Sequence, residues 1–238
     1  MGRKESKIQR WASHSLGIIF FALSSQYLIS SPIDHHQERF EDVALKIWEY
    51  AELGYLEEKS SSLLQQELKD SGFTIQSGVA GIPTAFIAEY NNGGPVLGIL
   101  GEFDALPGLS QQNVPFKTAE GLSSANGHAC GHHLFGAASA WAVVAIKEWL
   151  EESGTPGTIR FYGTPAEEGG SGKVYIARDG YFDDVDIVLH WHPASGNSAD
   201  AQSSNSNKSG KFTFSGISAH AALSLIHISE PTRLWHIA

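Results

Sequence analysis

A chain of 238 residues is long enough for one large domain or one and a half domains. Its composition, with 42% hydrophobic and 18% charged residues, excludes wholesale disorder. The formal net charge of −10 argues against nucleic acid as a partner, because non-specific binding to nucleic acid needs a basic surface. The single cysteine excludes an internal disulfide.

Residues 1–32 have the layout of a secretory signal. Basic residues at Arg3, Lys4, Lys7 and Arg10 precede an apolar run at 16–23, and small polar residues follow it. The run is shorter than the roughly 20 apolar residues of a membrane-spanning helix, so no stable membrane span is predicted. We expect export to the periplasm or the cell exterior. The alternative is an N-terminal extension of a cytoplasmic protein.

The next hundred residues predict two helices and then three strands. Apolar positions recur at helical spacing over 33–53, and a second helix at 57–70 ends before Gly72. Strand-like runs follow at 73–79, 84–90 and 96–101. The Asn-Asn-Gly-Gly-Pro sequence between the last two runs is a turn signal, and it predicts that these two strands form a hairpin.

The remaining elements alternate between helix and strand. A polar loop at 105–127 precedes a helix at 132–150, a strand at 158–162, a short helix at 173–178 and a strand at 184–190 with an apolar centre. Centrally apolar strands between helices indicate a sheet that is covered on both faces. The pattern therefore predicts an α/β domain.

The residues best suited to metal binding and acid–base chemistry follow these strands. Glu102 and Asp104 follow one strand, Glu167 and Glu168 follow another, and His190 and His192 close a third. The segment Cys130-Gly-His132 opens the predicted central helix. Sites in open α/β sheets form beyond the carboxyl ends of strands, so these four segments are expected to share one cleft. Taken singly, the glutamates could be a solvated pair and the histidines an exposed strand end.

The sequence His-Ala-Cys-Gly-His-His at 128–133 contains the only cysteine and opens the predicted helix at 132. Thiolate and imidazole are preferred ligands of zinc and its first-row neighbours, so this motif predicts a metal site. The alternative is a polar loop that caps a helix. A divalent ion bound by Cys130, His132, one of the two glutamates and a strand-end histidine would activate water, with the other glutamate as general base.

Five motifs then carry a resemblance to a known family. In order they are Gly-Glu-Phe-Asp-Ala-Leu-Pro-Gly (101–108), His-Ala-Cys-Gly-His-His (128–133), Gly-Thr-Pro-Ala-Glu-Glu-Gly-Gly (163–170), His-Trp-His-Pro (190–193) and Phe-Ser-Gly-Ile-Ser-Ala-His-Ala-Ala (214–222). The chain resembles the metal-dependent amidohydrolases and peptidases that include aminoacylases, carboxypeptidases and auxin-conjugate hydrolases. Within them it is most similar to the aminobenzoyl-glutamate hydrolase B-subunit branch.

The resemblance implies the N-terminal part of a three-layer α/β catalytic domain with a dinuclear metal site, over residues 33–208. Residues 209–222 would begin an α+β lid that often dimerises, which implies a homodimer or hetero-oligomer. Two divalent ions, Zn or Mn, and a small-molecule amide substrate are implied. The implied roles are Glu167 as general base, metal ligands at Cys130, His132, Glu168 and His190 or His192, supporting positions at Asp104 and His133, and a substrate-binding residue at His220.

The chain departs from this family after Ala222. Residues 223–238 read like a translated sequencing adapter, so we expect a non-native tail on a C-terminally truncated chain; the alternative is a divergent C-terminus. The leading hypothesis is hydrolysis of the amide bond of an N-acyl or N-aroyl amino acid or a small peptide. Two alternatives stay open: an inactive fragment that only binds metal, and a hydrolase that uses Cys130 as nucleophile.

Overall fold

The structure is a computed structural model that describes residues 32–116 and 125–199, together with 203, 205, 206, 208, 210, 212 and 213. The predicted signal segment, His220 and the predicted non-native tail lie outside the described residues. The chain divides into two compact units, Met1–Ser195 and Gly196–Ala238. The described residues of the second unit contain no helix or strand. The predicted boundaries at 208 and 222 stay predictions.

The first unit contains four helices and five strands among its described residues. A 3₁₀ turn at Pro32–His36 leads into the helices α1 (Gln37–Tyr50) and α2 (Glu58–Asp70). The strands β1 (Thr74–Ser77), β2 (Phe86–Asn91) and β3 (Val96–Gly101) follow, with a second 3₁₀ turn at Val79–Gly81. After them come α3 (His132–Ser153), β4 (Thr158–Gly163), α4 (Gly172–Arg178) and β5 (Ile187–Leu189).

The five strands form one mixed sheet in the order β1-β2-β4-β3-β5. Strand β4 pairs antiparallel with β2 and parallel with β3, and β3 pairs parallel with β5. The predicted hairpin of β2 and β3 is therefore wrong. The turn between them spans the start of β4, where Asn92 donates its backbone N–H to Gly157 O and Thr158 donates its own to Pro95 O. Both strands satisfy their backbone groups on β4 instead of on each other.

Alternating side chains of the strands pack into a core on each face of the sheet, and helices cover these cores. This arrangement confirms the predicted α/β class. Phe86 and Phe161 face the large core under α1, α2 and α3, whereas Ile87 and Tyr162 face a smaller core that includes Ile176 of α4. One expectation fails at β5. Its three residues are 57%, 42% and 51% exposed, because β5 lies at the sheet edge instead of between covered neighbours.

None of the helices in the described part of the chain has the length and apolar content needed to cross a membrane.

The parallel strands β3, β4 and β5 end at the same edge of the sheet. Helix α3 begins at residue 132, and its first turns pack over the end of β3, where Gly136 lies against the backbone of Glu102. The four segments that were predicted to share a cleft therefore do meet at this edge.

Candidate metal centre

His132 is the centre of the cluster at this edge, and its imidazole is fully buried. Its Nδ1 donates to Asp104, lying 2.9 Å from Oδ1 and 3.1 Å from the backbone oxygen. That hydrogen bond leaves Nε2 as the nitrogen that faces the cluster, 3.0 Å from Glu102 Oε2 and 3.9 Å from Glu167 Oε2. A histidine held in this way through Nδ1 presents the lone pair of Nε2 to a metal ion.

The local backbone explains why Cys130 and His132 converge. Gly131 separates them with φ = +86° and is the residue that precedes α3. This left-handed conformation favours glycine, because it strains any residue with a Cβ atom. A Cβ atom here would also lie only 3.1 Å from Pro193. The glycine thus lets the His192-Pro193 segment approach the start of α3.

His192, and not His190, completes the group around Cys130. Its Nδ1 donates to Pro193 O at 2.9 Å, and its Nε2 lies 3.4 Å from Cys130 Sγ. One ligand atom from each of Cys130, His132 and His192 falls within 4.8 Å of the others. His190 points elsewhere: its Nε2 lies 3.8 Å from Glu102 Oε1 and its ring packs edge-on against Phe135.

A second group adds carboxylates to the same histidine. Glu102, His132 and Glu167 also bring one ligand atom each within 4.8 Å. Glu168 Oε1 lies 3.9 Å from His132 Nδ1, and the backbone N–H of Glu168 donates to Asp104 Oδ2 at 2.9 Å. Asp104 therefore holds His132 with one oxygen and the glutamate segment with the other.

Contacts within the cluster shift several pKa values. Without a metal ion, burial alone would lower the pKa of His132, but the carboxylates of Asp104 and Glu102 outweigh it and raise the pKa to about 10. A cation that binds Nε2 would therefore displace the proton on that nitrogen, while Nδ1 keeps the proton that it donates to Asp104. Burial alone would raise the pKa of Glu102, but His132 and the Lys173 ammonium, which pairs with Glu102 Oε1, outweigh it and lower the pKa.

The two groups proposed for proton transfer or nucleophilic attack have raised pKa values. Burial and the nearby Glu102 carboxylate raise the pKa of Glu167. Burial, followed by contact with Glu168, raises the pKa of the Cys130 thiol to about 12. A thiol with such a pKa is protonated at neutral pH, so in this state Cys130 is a poor nucleophile.

His133, predicted to support the site, packs against His128 with ring centroids 5.1 Å apart. His128 Nε2 lies 3.0 Å from Ile47 O of α1, and burial lowers the pKa of both histidines to about 4. The pair thus sits between α3 and α1 as neutral imidazoles.

Two residues near the centre were missed by the sequence reasoning. Lys173 is the ammonium partner of Glu102, and Glu57 accepts the backbone N–H of Ala166 next to the glutamate pair. A lysine that opens a short helix and a glutamate that begins a surface helix both look like ordinary solvated charges. Nothing local in the sequence indicates that they lie beside the site.

The buried ligand atoms test whether a metal would fit. Within the described residues, Glu102 Oε2, His132 Nε2 and Glu168 Oε1 are buried without a well-formed hydrogen bond, although the first two atoms lie 3.0 Å from each other as an ion pair. Native structures rarely leave such atoms unsatisfied, and a bound ion is one reason why they do. Sulfur, imidazole and carboxylate ligands at these distances suit a first-row divalent cation. The residues therefore fit a metal site.

Comparison with known proteins supports the resemblance of the sequence motifs. The chain is 44% identical over 194 residues to the B-subunit of p-aminobenzoyl-glutamate hydrolase from Escherichia coli K12, a match that covers 82% of the chain and 40% of that protein. It is 33% identical over 184 residues to the human Xaa-Arg dipeptidase, a match that covers 70% of the chain and 38% of that protein. The chain spans about two fifths of the length of these relatives.

Solved structures agree with the fold. A dinuclear metal-binding peptidase of the M20 family from Bacillus subtilis superimposes with a TM-score of 0.55 at 26% identity, over 66% of this chain and 43% of that chain. A structure from methicillin-resistant Staphylococcus aureus matches with a TM-score of 0.57 at 23% identity, over 70% of this chain and 42% of that one, and shows the fold alone. The profile of peptidase family M20/M25/M40 matches residues 98–237. Because this match covers more than half of the chain, the chain belongs to peptidase family M20/M25/M40.

Proposed function

We infer that this chain supplies the metal-binding catalytic part of an enzyme that hydrolyses the amide bond of N-acyl or N-aroyl amino acids or small peptides. The observation that carries the inference is the convergence of Cys130, His132 and His192 with the Glu167-Glu168 pair, with buried ligand atoms that lack a well-formed hydrogen bond. The 44% identity to one chain of an aminobenzoyl-glutamate hydrolase supports an aroyl-glutamate as the first substrate to test.

Two divalent cations would be held by this set of residues. Cys130, His132 and His192 offer sulfur and nitrogen, and Glu102 and Glu168 offer carboxylate oxygens around them. The Bacillus subtilis structure that matches the fold is described as a dinuclear metal-binding peptidase, which supports two ions here. Mixed ligands of this kind suit Zn²⁺ and Mn²⁺, and metal analysis of the purified protein decides between them.

A bound divalent cation supplies a Lewis acid that polarises a carbonyl and lowers the pKa of water. The chain provides the proton transfer. Glu167 is the general base: its side chain is 45% exposed, and burial together with the nearby Glu102 carboxylate raises its pKa. It accepts a proton from the attacking water and donates it to the departing nitrogen. Asp104 meanwhile keeps the Nε2 lone pair of His132 available.

A cysteine-nucleophile mechanism is the second candidate. The nearby His192 Nε2, 3.4 Å from Cys130 Sγ, is the observation that favours it. The raised pKa of the thiol opposes it, as does the acidic surrounding of Glu167 and Glu168. Thiolate nucleophiles instead occur beside cationic groups or helix N-termini.

The experiment compares the wild-type 238-residue chain with Glu167→Gln and Cys130→Ala. We expect about two divalent ions per wild-type chain by elemental analysis, fewer in Cys130→Ala, and an unchanged content in Glu167→Gln. Any amidase activity of the wild type toward p-aminobenzoyl-glutamate should be lost with a chelator and in Glu167→Gln. Metal binding without activity would assign metal binding alone to this chain.

Absence of bound metal in every preparation would overturn the proposal. Activity that survives the chelator but not alkylation would favour the cysteine mechanism.

We further propose export through residues 1–32. Expression of the complete open reading frame with an epitope tag, followed by fractionation of the host cell, tests this, and a tagged product confined to the cytoplasm at its full mass would contradict it.

A further inference from the structure

The backbone that carries the glutamate pair has an unusual conformation. Ala166, directly before Glu167, has φ = +58° and is only 1% exposed. A left-handed conformation is uncommon for a residue other than glycine, and it persists where surrounding contacts determine it. The direction in which Glu167 and Glu168 leave the strand therefore depends on whatever holds Ala166.

The carboxylate of Glu57 holds Ala166 through its backbone. Glu57 is completely buried at the start of α2, and its Oε1 accepts the Ala166 N–H at 2.8 Å. Its Oε2 accepts the hydroxyl of Thr84 at 3.0 Å. The backbone oxygen of Thr84 in turn accepts the hydroxyl of Ser61 at 2.8 Å. The carboxylate is thus fixed by α2 and by the residues before β2.

The segment just before Glu57 supports the same loop. Gly54 packs so closely that a Cβ atom there would lie 2.9 Å from Ala166 Cα. The hydroxyl of Tyr55 donates to Gly170 O at 2.5 Å, at the far end of the loop. The connection between α1 and α2 therefore contacts both ends of the segment that contains the two glutamates.

Two carboxylates hold the glutamate segment at alternate residues. Glu57 accepts the N–H of Ala166, and Asp104 accepts the N–H of Glu168. Glu167 lies between these two anchors and is directed to within 3.9 Å of His132 Nε2. Loss of the Glu57 anchor would free Ala166 to return to an ordinary conformation, which would turn both glutamates away from the site.

We propose that Glu57 is a positioning residue for the metal centre: its hydrogen bond to Ala166 sets the backbone that aims Glu167 and Glu168. The inference rests on the proposed function for the roles of those two glutamates. It does not rest on that function for the hydrogen bond itself, so the two can fail separately.

The test uses the full 238-residue chain with Glu57→Ala, Glu57→Gln and the matched control Glu52→Ala. Glu52 accepts the N–H groups of Lys59 and Ser60 in the first turn of the same helix. Glu52→Ala should therefore destabilise α2 without releasing Ala166. Glu57→Gln keeps a carbonyl oxygen for the Ala166 N–H, and its amide group can donate to the Thr84 hydroxyl oxygen.

The first measurement is cobalt(II) binding, by competition with a chromophoric chelator and by the visible absorption spectrum. Glu57→Ala should weaken cobalt binding at least about tenfold and change the spectrum, because a ligand is displaced. Glu57→Gln should restore both, and Glu52→Ala should leave both unchanged while lowering the melting temperature. Wild-type affinity and spectrum in Glu57→Ala would overturn the proposal, as would an affinity loss in Glu52→Ala that parallels its loss of stability.

The second measurement does not depend on metal. Hydrogen exchange of a peptide spanning residues 164–170 should be at least about tenfold faster in Glu57→Ala and near wild type in Glu57→Gln. Unchanged exchange in Glu57→Ala would overturn the proposal. A wild-type chain that binds no cobalt but shows this exchange pattern would refute the proposed function and support the role of Glu57. If Glu57→Ala does not fold, Glu57→Asp, which withdraws the acceptor by one methylene, carries the same expectations.

Discussion

Substitution of Asp104 by asparagine should weaken metal binding at the candidate centre while changing very little of its shape. The Asp104 side chain is fully buried and accepts two hydrogen bonds, from His132 Nδ1–H and from the Glu168 N–H, each at 2.9 Å. Asparagine has the same size but offers one acceptor and one donor. One of the two partners must therefore face an N–H group.

The physical chemistry decides which partner that is. The Glu168 amide can only donate, whereas His132 can move its proton from Nδ1 to Nε2 and accept at Nδ1. The asparagine oxygen should therefore turn to Glu168 and its amide group to His132. The proton then occupies Nε2, the atom that faces Glu102 and Glu167. Metal affinity should fall by about 10–100-fold, or roughly 1.4–2.7 kcal/mol.

The assay is a zinc titration of Asp104→Asn in competition with a chromophoric chelator, with unfolding by urea in parallel. The metal-free variant should lose about 1–3 kcal/mol of unfolding free energy. The matched control is Asp186→Asn, since Asp186 also accepts a backbone N–H, that of Val96 at 2.8 Å, far along the strand from the site. The control should bind zinc like the wild type. Zinc affinity within about twofold of wild type in Asp104→Asn would refute the tautomer argument.

Gly136→Ala places a Cβ atom 2.6 Å from Glu102 O, so a net loss of about 1–2 kcal/mol in urea unfolding is expected even though alanine favours helix. Burial on folding raises the pKa of Glu57 from 4.5 to about 7, so the folded state binds an extra proton between these two values. The unfolding free energy of the wild type, relative to that of Glu57→Gln, should therefore fall as the pH rises from 4.5 to 7. Because the pKa of Cys130 is raised to about 12, the metal-free chain should react with iodoacetamide at pH 7.5 at least about a hundredfold more slowly than a free cysteine.

Each of these predictions has an outcome that contradicts it. For Gly136→Ala the control is Gly196→Ala, whose Cβ atom would meet nothing within 4 Å, and equal stabilities of the two variants would contradict the close helix–strand contact. Parallel pH–stability curves for the wild type and Glu57→Gln would show that Glu57 has an ordinary pKa in the folded chain. Alkylation at the rate of a free thiol would return the cysteine mechanism to consideration.

Local sequence patterns predicted most elements of the fold correctly. Strand β3 begins and ends at the predicted residues, and α1, α2 and α3 fall within a few residues of their predicted bounds. Such patterns work because a buried face imposes its period on the sequence. The hairpin of β2 and β3 failed for a different reason. A turn sequence shows that the chain reverses, but β4, which begins 57 positions after the end of β3, lies between the two strands.

The family and the types of residue at the candidate site could be predicted from the sequence alone. The candidate ligand types, their place near the ends of β3, β4 and β5, and the family were all readable from five ordered motifs. The directions of the side chains became clear only from the folded chain. It brought His192 to Cys130, placed Lys173 beside Glu102, and buried Glu57 under Ala166. Side-chain direction in loops depends on packing between segments far apart in the chain, and no local pattern encodes such contacts.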